Sequence, residues 1–254
     1  MKSISLLLAS ITLVFFLACT SNTVAPAETT VTIGFVHLNN NVALELDKIR
    51  YTNSLGQDYS IKTVKYFISK VTFHNTNGTD YVSSNIHYVD IRDTETLSQE
   101  LTENIPYGTY SGISFVFGLV AKDNVTGSLE LDLDRLMEWP APLGGGYHYM
   151  KLEGEFVDNN ATSFFNFHTG ALEGEAYEIH IDIPNLNFEL NSNALNSTTL
   201  YMEITMEISN WFQNPTNWDF SYWGSGIMGN PEAQATVQKN GQDVFSIAFP
   251  SYNN

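Results

Sequence analysis

The segment Leu200-Tyr-Met-Glu-Ile-Thr-Met-Glu-Ile208 alternates without a break. Leu200, Met202, Ile204, Met206 and Ile208 fall on one side of an extended chain, and Tyr201, Glu203, Thr205 and Glu207 on the other. Successive strand side chains point to opposite faces, whereas a helix would scatter these five apolar residues around its axis. The segment therefore predicts a strand with one face in a core. The same period recurs at 32–38, 64–74, 86–91, 112–120, 147–156, 163–168 and 177–183, with Gly/Asn/Asp clusters at 75–80 and 157–160. Such a series predicts an all-β protein, an antiparallel β-sandwich with a few short helices, rather than a parallel sheet. Two short helices are expected. One is capped by Ser128, runs through Leu129, Leu133 and Leu136 and ends before Pro140; the other starts at Asn230-Pro231 and stops at Gly241.

The first eighteen residues, MKSISLLLASITLVFFLA, place Lys2 before an apolar run from Leu6 to Leu17 that is too short to span a membrane with its flanks. They read as a signal peptide over 1–18. Cys19, the single cysteine of the chain, stands where cleavage is expected and resembles a lipobox residue, lipidated to become the mature N-terminus. Residues 19–30 are small and polar and read as a tether, leaving one domain over 31–254 without repeat or linker. A lipid-anchored location in the cell envelope of a Gram-negative bacterium, periplasmic or outer-membrane, is expected. With 11 Lys and Arg against 28 Asp and Glu, a net charge of −17, the chain lacks the positive patch that nucleic acid requires. A lone cysteine also excludes a disulfide framework and every multi-cysteine metal site.

No zinc-protease, nucleophile-elbow or phosphate-loop motif occurs, and carboxylate pairs such as Glu153/Glu155 read as a solvated strand face. A Ser-His-Asp triad is recognised by geometry, so spacing alone does not argue one. With Cys19 given to lipid, the six histidines are the main soft or borderline metal ligands. His37, His148 and His168 each lie near the end of a predicted strand, where imidazoles converging at one rim would suit copper or zinc; hydrogen-bonded structural histidines are the alternative. Alternation puts His148 on the side of Met150 and Leu152, and turns His180 outward with Glu178 and Asp182.

The stretch Met137-Glu-Trp-Pro-Ala-Pro-Leu-Gly-Gly-Gly-Tyr-His-Tyr-Met-Lys-Leu-Glu-Gly154, followed by Phe167-His-Thr-Gly170, resembles the MbnP-like family of periplasmic or lipid-anchored copper-binding proteins. Other segments agree, among them Ile105-Pro-Tyr-Gly-Thr-Tyr-Ser-Gly-Ile-Ser114 and Asn240-Gly-Gln-Asp-Val-Phe245. The resemblance implies a β-sandwich that binds copper and is not an autonomous enzyme. It further implies that a partner di-haem protein of the cytochrome c peroxidase type oxidises a tryptophan to kynurenine, which helps histidines hold the metal. Carried over by position, Trp139 takes the tryptophan's place, and His148, His168 and His37 those of the histidines. Distant copper proteins with the same modification have a histidine two positions after the tryptophan; this chain has Ala141. Two other readings use different residues. A surface glycan-binding module would stack sugars on Trp211, Trp218, Tyr222 and Trp223, and a calcium-stabilised structural lipoprotein would use the abundant Asp and Asn oxygens.

Overall fold

Alternating segments become strands when one face can be covered, and here two sheets cover each other. A computed structural model describes residues 27–191 and 199–250. The expected signal peptide, Cys19 and most of the expected tether lie outside the described residues. The principal strands are β1 (Glu28–Asn39), β2 (Asp58–Asn75), β3 (Ile86–Asp90), β4 (Gly108–Phe117), β5 (His148–Asp158), β6 (Ala161–Gly170), β7 (Ile179–Leu190), β8 (Thr199–Glu207) and β9 (Phe245–Ala248). The smaller sheet runs β9-β8-β1, with short strands at Val42–Ala43, Ser98–Glu100 and Ile105–Pro106 on β1. The larger runs β6-β5-β2-β4-β7, with Tyr51–Thr52, Asp80–Val82 and β3 on β2.

The inner faces meet as the alternation requires. Leu200, Met202, Ile204, Met206 and Ile208 are buried, and Val31, Ile33 and Phe35 of β1 join them. The opposing sheet supplies Tyr59, Ile61, Val64, Tyr66 and Ile68 from β2, Met150 and Leu152 from β5, and Phe165 and Phe167 from β6. A second, smaller cluster of Phe67, Leu119, Met137, Tyr147 and Tyr149 covers the outer face of the larger sheet. The fold is an all-β sandwich, and its principal pairings are antiparallel except one: β1 and β8 run parallel from Thr30↔Thr199 to Leu38↔Glu207. These strands come from opposite ends of the domain, so no hairpin dictates their direction.

Three local expectations change. β1 starts at Glu28, and Thr29 is already buried opposite Ile105, so the strand begins four residues before the start expected from alternation at Thr32. In α1 (Leu131–Met137) Met137 enters the core, whereas Leu136 is 46% exposed. The aromatic segment after β8 mostly faces inward. Trp211 and Trp218 are buried, and Trp223, the last residue of α2 (Phe220–Trp223), stacks on Trp218, leaving Tyr222 as the well-exposed ring. A sugar-stacking platform of four rings is therefore not presented. The C-terminal α3 (Pro231–Asn240) forms as expected, with the Asn230 side chain accepting from the amides of Glu232 and Ala233.

Two buried histidines tie this packing to pH. His87 Nδ1 lies 2.7 Å from the Gln99 amide oxygen, while its buried Nε2 has no partner among the described residues. Burial pushes its pKa down, and that of His37 down to about 4. Below the ordinary histidine value of about 6.5 the unfolded chain thus binds more protons than the folded one, so stability falls as pH drops toward 4. Denaturant unfolding between pH 7.5 and 5 should show this loss, at most ~1.4 kcal/mol per pH unit for each histidine. His87→Leu should make the slope shallower; an unchanged slope would contradict the assignment.

Candidate metal centre

The β5–β6 hairpin builds the centre through a break in its own alternation. His148 pairs with Gly170, but Met150 pairs with Thr169, so the register slips between them. Met150 stays in the inter-sheet core. The ring of His148, expected beside it, lies instead against His168, with centroids 5.0 Å apart and planes at 86°. His168 follows the core residue Phe167, so it points to the outer face, where it meets Glu153 of β5. Slip and alternation together bring both imidazoles to one outer rim of the larger sheet.

Trp139 completes the group. Its indole stands edge-on to His148 at 4.8 Å and 79°, and it is fully buried. Gly170 lies beneath it, and a Cβ there would come within 2.7 Å of the indole ring. The Trp139 amide donates to the Gly146 carbonyl at 2.9 Å, closing a loop through Gly144, Gly145 and Gly146. All three glycines have positive φ, 124°, 72° and 81°, which L side chains rarely adopt. The Trp139 Nε1 is buried with no hydrogen-bond partner among the described residues.

Hydrogen bonds fix which nitrogen of each imidazole is free. His148 Nδ1 is 3.1 Å from the Met137 carbonyl, which can only accept, so Nδ1 carries the proton and Nε2 the lone pair. His168 Nε2 is 2.8 Å from Glu153 Oε1; its proton is directed to the carboxylate, and Nδ1 keeps the lone pair. Metal-binding histidines are commonly oriented in this way, by a carbonyl or carboxylate on the second nitrogen. Burial, reinforced by Lys151 and His168, holds the His148 pKa down to about 3, so the ring is neutral at pH 7. The His168 hydrogen bond, against the opposing effect of burial, holds Glu153 at about 2, with Thr63 assisting, so this carboxylate is ionised.

His37 is placed elsewhere. It shares the inner face of β1, and its Nε2 is 3.0 Å from the Tyr66 hydroxyl between the sheets. Among the described residues no three His, Cys, Asp or Glu side chains gather at metal-ligand spacing. The expected three-histidine set is thus reduced to His148 and His168, because inner and outer faces of the larger sheet separate His37 from them. His180 is outward, as expected, with its side chain 72% exposed.

Three supporting residues escaped the sequence reading. Glu153 looked like part of a solvated face; only the cross-strand register brings it to His168. Lys151 Nζ donates to the Leu136 carbonyl at 2.5 Å, pinning the last turn of α1, and with it the Met137–Trp139 segment, to β5. Gln234 of α3 is buried and donates to the carbonyls of His168 at 2.8 Å and Ile227 at 3.1 Å, while its Oε1 accepts from the Gly170 amide at 3.4 Å. Because β6 is an edge strand, this carboxamide satisfies backbone groups that a further strand would otherwise pair. A polar residue on the buried stripe of a short helix, beside Ala233 and Val237, was the available clue.

The MbnP family model matches residues 28–228. The chain belongs to the MbnP family. Among solved structures, MbnP from Methylosinus trichosporium aligns with a TM-score of 0.57 at 11% identity, covering 88% of this chain and 99% of that one. At that identity the likeness is one of fold. No curated protein matches the chain in sequence.

The close fit of Trp139 on Gly170 gives a direct expectation for this MbnP-family chain. Gly170→Ala should displace the indole and cost roughly 1–3 kcal/mol, as overpacking of a tight core does. Urea unfolding together with tryptophan fluorescence would measure both effects; an unchanged midpoint and spectrum would contradict the packing described.

Proposed function

We propose that this chain captures copper between His148 and His168 and holds it for delivery at the cell envelope, anchored through a lipid on Cys19. The observation that carries the reading is the pair of adjacent imidazoles, each with one nitrogen tied to a fixed acceptor and the other holding a lone pair. Imidazole nitrogen is a suitable donor for copper, and Glu153 behind His168 fixes that ring's orientation. The acidic surface, net charge −17, concentrates cations around the protein. At this centre the chain binds its cargo and carries out no reaction of its own.

Trp139 fits a further step in the same reading. An intact indole N–H only donates, so it is no ligand. Its Nε1 is buried beside His148 without a hydrogen-bond partner among the described residues. Oxidation to kynurenine by a di-haem partner of the cytochrome c peroxidase type would turn that nitrogen into an aryl amine with a lone pair, giving copper a third nitrogen. Anchoring rests on the leader: Lys2 and the apolar run precede Cys19, and β1 begins at Glu28, nine positions later.

Competition titration with a copper-selective chelator tests the site. His168→Ala should lose most copper binding while the sandwich remains folded, since the side chain is outside the inter-sheet core. Glu153→Ala should weaken binding about 10–100-fold, the usual effect of removing a ligand's hydrogen-bond acceptor. His37→Ala should leave the affinity unchanged. Full affinity in His168→Ala would refute the site.

A further inference from the structure

The outer face of the larger sheet carries a second constellation, across β2 from the metal centre. His74 of β2 has Nδ1 3.0 Å from Asp80 Oδ1 and Nε2 2.8 Å from the Ser114 hydroxyl of β4. An ionised carboxylate can only accept, so Nδ1 carries the proton, Nε2 holds the lone pair, and the Ser114 O–H donates to it. Serine, base and orienting carboxylate thus stand in the order that activates a hydroxyl for attack, at hydrogen-bonding distances that suit the task. Sequence spacing could not show this. His74 and Asp80 are cross-strand partners at the end of one hairpin, whereas Ser114 arrives from a separate strand.

The constellation also borders a space for a substrate. His74 and Ser114 line a groove of about 360 Å³ together with Lys70, Thr72, His180 and Asp182. Lys70 lies at a register slip in β2 with φ 54°, and its ammonium pairs with Asp123 at 2.8 Å. Three N–H donors on that ammonium leave capacity for negative charge developing on a carbonyl oxygen in the groove.

We propose that Ser114 is a base-activated nucleophile that accepts the acyl group of small carboxylic esters. As Ser114 Oγ bonds to the ester carbonyl carbon, its proton passes to His74 Nε2. The bond to the alcohol oxygen then breaks, and the alcohol leaves with that proton. Water next gives a proton to His74 and its oxygen to the acyl carbon; His74 returns the proton to Ser114 as the carboxylic acid departs. Asp80 stays ionised throughout and holds the imidazole, and no oxidant or metal is involved.

The test uses the full mature chain in the presence of a metal chelator, so that its outcome is independent of the copper reading. An alkyl fluorophosphonate should form one adduct, located on Ser114 by peptide mass spectrometry, and p-nitrophenyl acetate hydrolysis should exceed that of Ser114→Ala. His74→Gln should slow both reactions about 100-fold, the scale of a positioned general base. Asp80→Asn should slow them with the thermal midpoint retained, which separates lost activation from lost folding. Absence of an adduct on Ser114, or equal labelling rates in the wild-type chain and His74→Gln, would overturn the proposal in favour of a cross-strand hydrogen-bond ladder.

Discussion

A hairpin with strict alternation would send His148 into the sandwich with Met150 and leave His168 alone on the opposite face beside Glu153. The slip between His148 and Met150 prevents that, and the rest of the candidate metal centre depends on it. Turned outward, His148 meets His168 and forms one wall for Trp139, while Gly170, its register partner, leaves room for the indole. The slip leaves Tyr149 out of the regular ladder, yet its ring is not lost to packing. It joins Phe67 and Tyr147 in the outer cluster, lies over Gly118, and receives a hydrogen bond from Asn124 at 3.3 Å. The second core and the bulge therefore support each other: one covers what the other exposes.

The centre is also prepared electrostatically before any ion arrives. The two imidazoles are held by acceptors of different kind, a neutral carbonyl for His148 and an ionised carboxylate for His168. An ion bound between them would then have an anion behind one ligand only, with Lys151 nearby engaged on the α1 carbonyl instead of on Glu153. Gln234 and Lys151 brace the backbone from two sides, so the two imidazoles rest on a strand edge and beside a pinned helix end instead of on a free loop. Rigid support of this kind fixes ligand geometry at the level that metal binding demands.

Much of the sandwich was legible because burial has the period of the strand. The face of β8 read directly from Leu200 to Ile208 is the face that packs, and the Asn230-Pro231 start of α3 follows from capping chemistry alone. Direction was not legible: alternation is the same read either way, so the parallel pairing of β1 with β8 left no local trace. Nor was the slip at His148. One extra residue reverses a side chain's face without changing composition, and so His148 was expected inside. Family resemblance pointed to Trp139, His148 and His168, which the fold brings together. The fourth position, His37, was expected with them because a strand end looks the same in sequence whichever sheet face it serves. Glu153, Gln234 and the His74–Asp80–Ser114 group depend on contacts between strands or helices distant in sequence, which no single periodic pattern records.

X-ray absorption at the copper edge, on protein loaded with one equivalent of copper, addresses the central claim most directly. Two imidazole nitrogens at roughly 2 Å should dominate the first coordination shell, with their outer-ring scattering visible. That scattering should fall by half in His148→Ala. A shell of oxygen or sulfur donors without imidazole scattering, or one unchanged by His148→Ala, would contradict a centre built on the turned-out His148 and its neighbour His168.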